Sequence, residues 1–247
     1  MRLAKGDSAP AFLVKADALR SFKLGVLVLP SHQLAAAGVG LCALYAALGL
    51  GYILYSFRKT VSAEIYFYAF WVLSVGLEVL RLALFNLVAG DCSGYWQIAT
   101  AKALIFARYA GYFSLFMSGL YAAGFHNEKL GTVSAIILAL SFALAAIMPI
   151  NTGSFAPTLE LKPGYASLNE GLAAIVALIT VANYVYAATS TGEASYKLVA
   201  LGAALFLIGH GLLTTQWNPI AMIAGFVLLV EGSWLYVSRL HSYYLWQ

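Results

Sequence analysis

Charge is what this chain has least of. Only 10% of its 247 residues are Asp, Glu, Lys or Arg, where a soluble domain carries about a quarter. That shortage excludes a soluble globular fold, because no stretch is polar enough to cover a core of its own. Positive charge is scarce as well. Lys and Arg exceed the acids by a net +4, spread over loops and tail, with no basic run interleaved with aromatics. Nucleic acid is therefore not an expected partner, and the small excess reads as a topology signal and as contact with anionic lipid head groups.

Cysteine and histidine are nearly absent from the interior. Cys42 lies within the first apolar stretch and Cys92 in a loop, at different depths, so no disulfide is expected, and neither has metal-ligand spacing. His32 and His126 fall at segment ends or outside them, leaving His210 as the interior histidine. One imidazole supplies neither a facing haem pair nor a zinc-hydrolase ligand set. Residues Pro219 to His241 contain no lysine, which removes the Schiff base a microbial-type rhodopsin needs. Gly-x-Ser-x-Gly and nucleotide-loop motifs are missing too. The expectation is no cofactor, no metal and no catalytic machinery.

What the chain has in abundance is apolar length. Hydrophobic residues make up 62% of it, concentrated in seven runs: 33–56, 63–89, 95–125, 130–150, 164–189, 195–214 and 219–241. About 20 helical residues cross a hydrocarbon core, so each run qualifies and the fold class is all-α, a polytopic bundle of seven transmembrane helices. The domain reading is an arm over 1–32 followed by a membrane domain over 33–247. The arm resembles a signal peptide only superficially, since Pro30-Ser31-His32-Gln33 interrupts its short apolar run. Residues Pro10 to Lys23, after the Asp7-Ser8 cap candidate, are a possible interfacial helix.

Most breaks between the runs are very short, which makes successive helices antiparallel neighbours. Asn151 to Pro163 is the exception, and it is the lid candidate. With the N-terminus outside, the cytoplasmic side holds Arg58, Lys59, Lys129, Lys197 and Arg239 while the short outer loops hold Lys162. The positive-inside rule then favours N-out and C-in, although Lys15, Arg20 and Lys23 of the arm disagree. Small pairs at four-residue spacing, such as Ala36 with Gly40 and Ser114 with Ser118, mark expected close helix approaches.

Away from the outermost residues at the cytoplasmic ends of the runs lie seven ionisable side chains: Glu78, Arg81, Lys102, Arg108, Glu170, His210 and Glu231. A charge in hydrocarbon is costly and by default marks a site. At 1.5 Å per residue, Glu78, Arg108 and Glu231 lie roughly 16–20 Å from the outer helix ends, near the midplane. Arg81 and Lys102 come out shallower, and Glu170 and His210 nearer the surface. Ser74, Glu78 and Arg81 share one helix face, and Lys102, Arg108, Tyr109 and Tyr112 form a polar wedge on the next helix. The local phrase Arg81-Leu82 … Asn86 … Ala89-Gly90 resembles a stretch of the proton-channel subunit of rotary ATP synthases. Its Arg-to-Asn spacing is one residue longer and no second matching helix follows, so it assigns nothing.

Two readings of the charges compete. In one they pair and hold helices together without binding anything. In the other they line a polar pocket in the outer half of the bundle, for a small anionic or zwitterionic ligand or a lipid head group. The expected ligand-binding residues are Glu78, Arg81, Lys102, Arg108, Tyr109, Tyr112, His210 and Glu231. His210 would add pH dependence, because an unperturbed imidazole titrates near about 6.5. The leading expectation is non-enzymatic binding or sensing. The alternatives are a proton-coupled secondary transporter working through Glu78 or Glu231, and a structural subunit whose charges contact a membrane protein partner.

Overall fold

A computed structural model describes residues 22–24, 27–29, 31–57, 62–125, 129–215 and 218–245. Within them run seven helical segments long and apolar enough to cross a membrane, and the architecture is the expected all-α bundle. The first span is α1 (Ser31–Ser56). The second is broken: α2 (Ala63–Gly76) passes through a 3₁₀ turn, Leu77–Val79, into α3 (Leu80–Ala89). Then follow α4 (Gly94–Ala122), α5 (Leu130–Ile147), α6 (Ala166–Ser190), α7 (Ala194–Thr215) and α8 (Pro219–Leu245).

Local chemistry sets several of these ends. Ser62 caps α2 by accepting from the Ile65 amide at 3.2 Å. Asn218 caps α8 through the Ala221 amide, and Pro219 occupies the first helical position, where its missing N–H costs nothing. The 3₁₀ turn has no counterpart in the apolar pattern, which runs unbroken from residue 63 to 89. Gly76 stands just before it and lets α1 come close, since a Cβ there would meet the Ala46 Cβ at 2.8 Å.

Two short stretches of the arm before α1 are among the described residues. Phe22–Leu24 (β1) and Leu27–Leu29 (β2) pair antiparallel, in place of the end of the expected surface helix. The rest of that helix and its cap candidate lie outside the described residues. So do Arg58 and Lys59, the basic residues expected on the cytoplasmic side.

Lipid does not drive apolar helices together, so a membrane bundle relies on close packing and interhelical hydrogen bonds. Both are present. The last two spans meet backbone to backbone on two glycine pairs spaced by a heptad. A Cβ on Gly209 would lie 2.6 Å from the Gly225 carbonyl oxygen, and one on Gly202 would lie 2.8 Å from that of Gly232. These pairs are absent from the small-residue expectations, whereas Gly40 faces open space. Hydroxyls knit the rest: Tyr45 to Ser233 at 2.7 Å, and Tyr184 to both Ser118 and Tyr236 at 2.7 Å. Tyr68, Trp71, Phe206 and Tyr236 pack ring against ring at the centre.

The long connection is a folded element. Strands β3 (Ile150–Ala156) and β4 (Glu160–Pro163) form an antiparallel hairpin with an irregularity between Asn151 and Phe155. Its inner strand is anchored by Leu161, which is buried with Leu84 of α3 and Ala101 of α4. At the tip, Leu159 is 1% exposed and held at φ +62°, a left-handed conformation that costs a branched side chain roughly 1–3 kcal/mol. Buried surface and hydrogen bonds at the tip offset that cost. The connection is a plug seated between helices.

Candidate functional site

Four charged side chains meet beneath the hairpin tip. Glu78 sits in the 3₁₀ turn, so its carboxylate leaves the second span where the helix is tightened. Arg108 of α4 donates to both of its oxygens, Nε to Oε1 at 2.8 Å and Nη2 to Oε2 at 3.0 Å. Arg81 Nε lies 2.6 Å from Glu78 Oε2 as an ion pair, without a well-aligned N–H. Glu160 of β4 completes the group: its Oε2 accepts from Arg108 Nη2 at 2.8 Å and is 3.8 Å from Arg81 Nη2.

The hairpin also closes the group from above. Arg81 Nη1 donates to the Thr158 carbonyl at 3.3 Å and to the Thr214 carbonyl of α7 at 3.2 Å. Thr158 Oγ1 donates to Glu160 Oε1 at 3.0 Å. Two carboxylates and two guanidiniums thus balance, with Glu78 and Arg81 almost fully buried and Arg108 and Glu160 about a fifth exposed. Burial alone would raise the Glu160 carboxyl. Arg108 and Arg81 outweigh it and hold the group below the usual carboxylate range.

Beside this quartet lies a cavity of about 690 Å³. Glu78 and Arg81 line it from the second span, Arg108 and Tyr112 from α4, Glu160 and Lys162 from β4, Asn169 and Glu170 from α6, and His210 from α7. His210 differs from the others. It is 7% exposed, and neither ring nitrogen has a hydrogen-bond partner among the described residues. Its ring stands edge-on to Trp71 and to Tyr112, at 6.0 and 6.4 Å. Those aromatic contacts fix the imidazole without satisfying its polar atoms.

Of the eight residues expected to bind a ligand, Glu78, Arg81, Arg108, Tyr112 and His210 converge on this cavity. The polar wedge on α4 divides. Lys102 turns to α5, its Nζ donating to the Ala146 carbonyl at 2.5 Å, and Tyr109 donates to Asn169 Oδ1 at 2.7 Å. Neither lines the cavity, although Tyr109 braces a residue that does. Glu231 is a correction: it is exposed on the outer face of α8. Helix α8 turns Gly225, Leu229, Gly232 and Tyr236 inward, and at about 100° per residue Glu231 lies roughly 130° away from that stripe. Counting residues along a helix gives depth but not direction.

Two carboxylates that the bundle takes in were missed by the sequence reading. Glu160 belongs to a loop, where no periodicity signals which side chain enters the bundle. Glu64 begins α2 yet is 2% exposed, its carboxylate accepting from Tyr196 at 3.0 Å and from Tyr244. A helix-terminal acid ordinarily needs no partner beyond the dipole, so nothing in the local sequence pointed to a buried one.

No known family model matches the chain. It is 27% identical over 141 residues to an uncharacterised protein of Treponema pallidum (strain Nichols), a match covering 57% of this chain and 41% of that protein. The chain thus spans less than half the length of that relative. This likeness supplies no activity, and the functional reading rests on the geometry.

Proposed function

We propose that this is a non-enzymatic seven-helix membrane protein that binds or senses a small zwitterionic ligand in the cavity under the β3–β4 hairpin. One observation carries the reading: His210, buried and without a hydrogen-bond partner at either nitrogen among the described residues, stands on the wall of a cavity of about 690 Å³. That volume falls within the usual range of small-molecule pockets, about 300–1,000 Å³. The lining holds Glu78, Glu160 and Glu170 against Arg81, Arg108 and Lys162. Balanced charge favours a ligand carrying both signs over a simple anion, whose binding would require an excess of cations.

The hairpin end is the outer side in this proposal, as the distribution of Lys and Arg between the loops favours. Thermal stability of the purified protein, titrated with a neutral amino acid, glycine betaine, acetate and inorganic phosphate, tests the reading. A zwitterion should raise the melting temperature in a concentration-dependent way, and His210→Ala should remove the rise. The proposal fails if no compound in the panel stabilises the protein, or if the His210→Ala variant responds like the wild type.

A second reading has its own observation. Glu64 is a buried carboxylate in a span with no cation beside it among the described residues, whereas Glu78 is held by two arginines. Proton-coupled transport would therefore work through Glu64 rather than Glu78 or Glu231. Uptake of a zwitterion into vesicles under a pH gradient, lost in Glu64→Gln, would favour it. Stabilisation without uptake would favour the sensor.

A further inference from the structure

An acid near the middle of a span, exposed outside the bundle, points to a different surface. Glu231 lies twelve residues into α8 from Pro219, about 18 Å along the helix and so near the midplane. It is exposed and makes no hydrogen bond or ion pair among the described residues. Around it, Ile220, Ile223, Val227, Val230 and Trp234 are all exposed. Their spacing of three, four, three and four residues forms a straight apolar seam of the kind a second helix packs along. Every span shows lipid an apolar face, but this one carries a carboxylate at its middle.

We propose that this face of α8 docks a transmembrane helix of another protein that carries a lysine or arginine at the same depth. A carboxyl in the centre of a bilayer is costly when it faces hydrocarbon, and such groups pair. Among the described residues, a second copy of this chain offers no such complement at that depth. Its exposed cations among the described residues are Lys129, Lys162, Lys197 and Arg239, all in loops, in the hairpin or toward the helix ends away from Pro219. Symmetric docking through α8 would instead set Glu231 against itself, a like-charge contact. The partner's cation supplies what the surface lacks, and the apolar seam supplies shape. This inference does not depend on what the cavity binds.

The test uses the full chain with a donor dye on the exposed Cys92, reconstituted in phosphatidylcholine vesicles with acceptor-labelled leucine-based transmembrane peptides. One peptide carries a single central lysine, one a central glutamate, and one leucine throughout. Energy transfer to the lysine peptide should report association about threefold to tenfold tighter than to the leucine peptide, the range for one interhelical hydrogen bond in lipid. Glu231→Gln should reduce that preference, and Glu231→Leu should abolish it. Since the side chain is exposed and makes no polar contact among the described residues, both variants should keep the wild-type melting temperature. Equal transfer to the lysine and leucine peptides overturns the proposal, as does a preference that survives Glu231→Leu. Self-association of the chain that disappears in Glu231→Gln would overturn it too, by making a second copy the occupant.

Discussion

Arg108 and Glu160 join the bundle to the hairpin that plugs it, Nη2 to Oε2 at 2.8 Å. The same guanidinium grips Glu78 on its other edge, so one side chain ties the core of the second span to an element that belongs to no span. Loosening the hairpin and disturbing the core are therefore coupled events. Replacing Glu160 with Gln removes the charge and leaves the shape. It should destabilise the protein by about 1–3 kcal/mol, the usual loss for a partly exposed charge-assisted contact, measured as a fall in the chemical-denaturation midpoint. No change in that midpoint would mean the contact only decorates the surface.

Acid should act through the same carboxyl. The arginines hold Glu160 below the usual carboxylate range, so its charge stabilises the folded state fully above the unfolded value, about 4.3. That contribution is lost as pH falls through the lower folded value. Melting curves of wild type and Glu160→Gln should differ most at neutral pH and converge as the solution is taken well below pH 4. A difference that widens with acid would show the sign to be wrong.

Glu78 is more tightly committed than Glu160. Two guanidiniums converge on it in a site it shares with almost no solvent. Glu78→Gln leaves both cations under-compensated, and removing one partner of a buried ion pair costs about 3–5 kcal/mol. Combining it with Arg108→Gln restores the balance of charge, so the double variant should be more stable than the sum of the single losses predicts. Strict additivity in the measured cycle would show that these groups do not interact.

How much of this was legible in the chain follows from what an apolar run encodes. Length and hydropathy place a helix in a membrane, and the seven spans agree with expectation to within a few residues at most ends. Depth follows from counting, which is why Glu78 and Arg108 were correctly set at one level. Direction around a helix requires knowing which stripe packs. On α8 that stripe was written in Gly225 and Gly232, matched to Gly209 and Gly202 of α7, a seven-residue spacing that a search for four-residue pairs passes over. Glu160 was illegible for another reason. Where a loop side chain points is decided by the hairpin register and by the strained Leu159 turn, both consequences of tertiary packing.

The Glu64 pocket should behave as structural glue toward its tyrosines whatever the protein transports or senses. Tyr196 donates to one carboxylate oxygen and is itself buried. Tyr196→Phe deletes that donor with little change of shape, and a hydrogen bond to a charged group is worth about 1.5–3 kcal/mol. Tyr186, on the lipid-facing side of α6, is 59% exposed, so Tyr186→Phe is the matched control and should change stability by less than about 0.5 kcal/mol. Equal effects of the two substitutions would indicate that the Glu64 contact contributes nothing.

Two glycines flanking His210 offer the sharpest contrast within one helix. A Cβ on Gly209 would lie 2.5 Å from the Leu229 amide nitrogen, while one on Gly211 would meet nothing within 4 Å. Backbone cannot rotate out of the way as a side chain can, so Gly209→Ala must push α8 away from α7 along their tightest seam. The expected cost is at least about 1–3 kcal/mol, the usual range for overpacking a core. Gly211→Ala meets no such obstacle and gains helix propensity of up to about 1 kcal/mol, so it should be neutral or stabilising. Because both substitutions adjoin His210, ligand titrations on the pair also separate shape from proximity. If separation of α7 from α8 distorts the cavity, only Gly209→Ala should weaken stabilisation by the zwitterion. Equal weakening in both would place the effect in the local backbone of His210 instead.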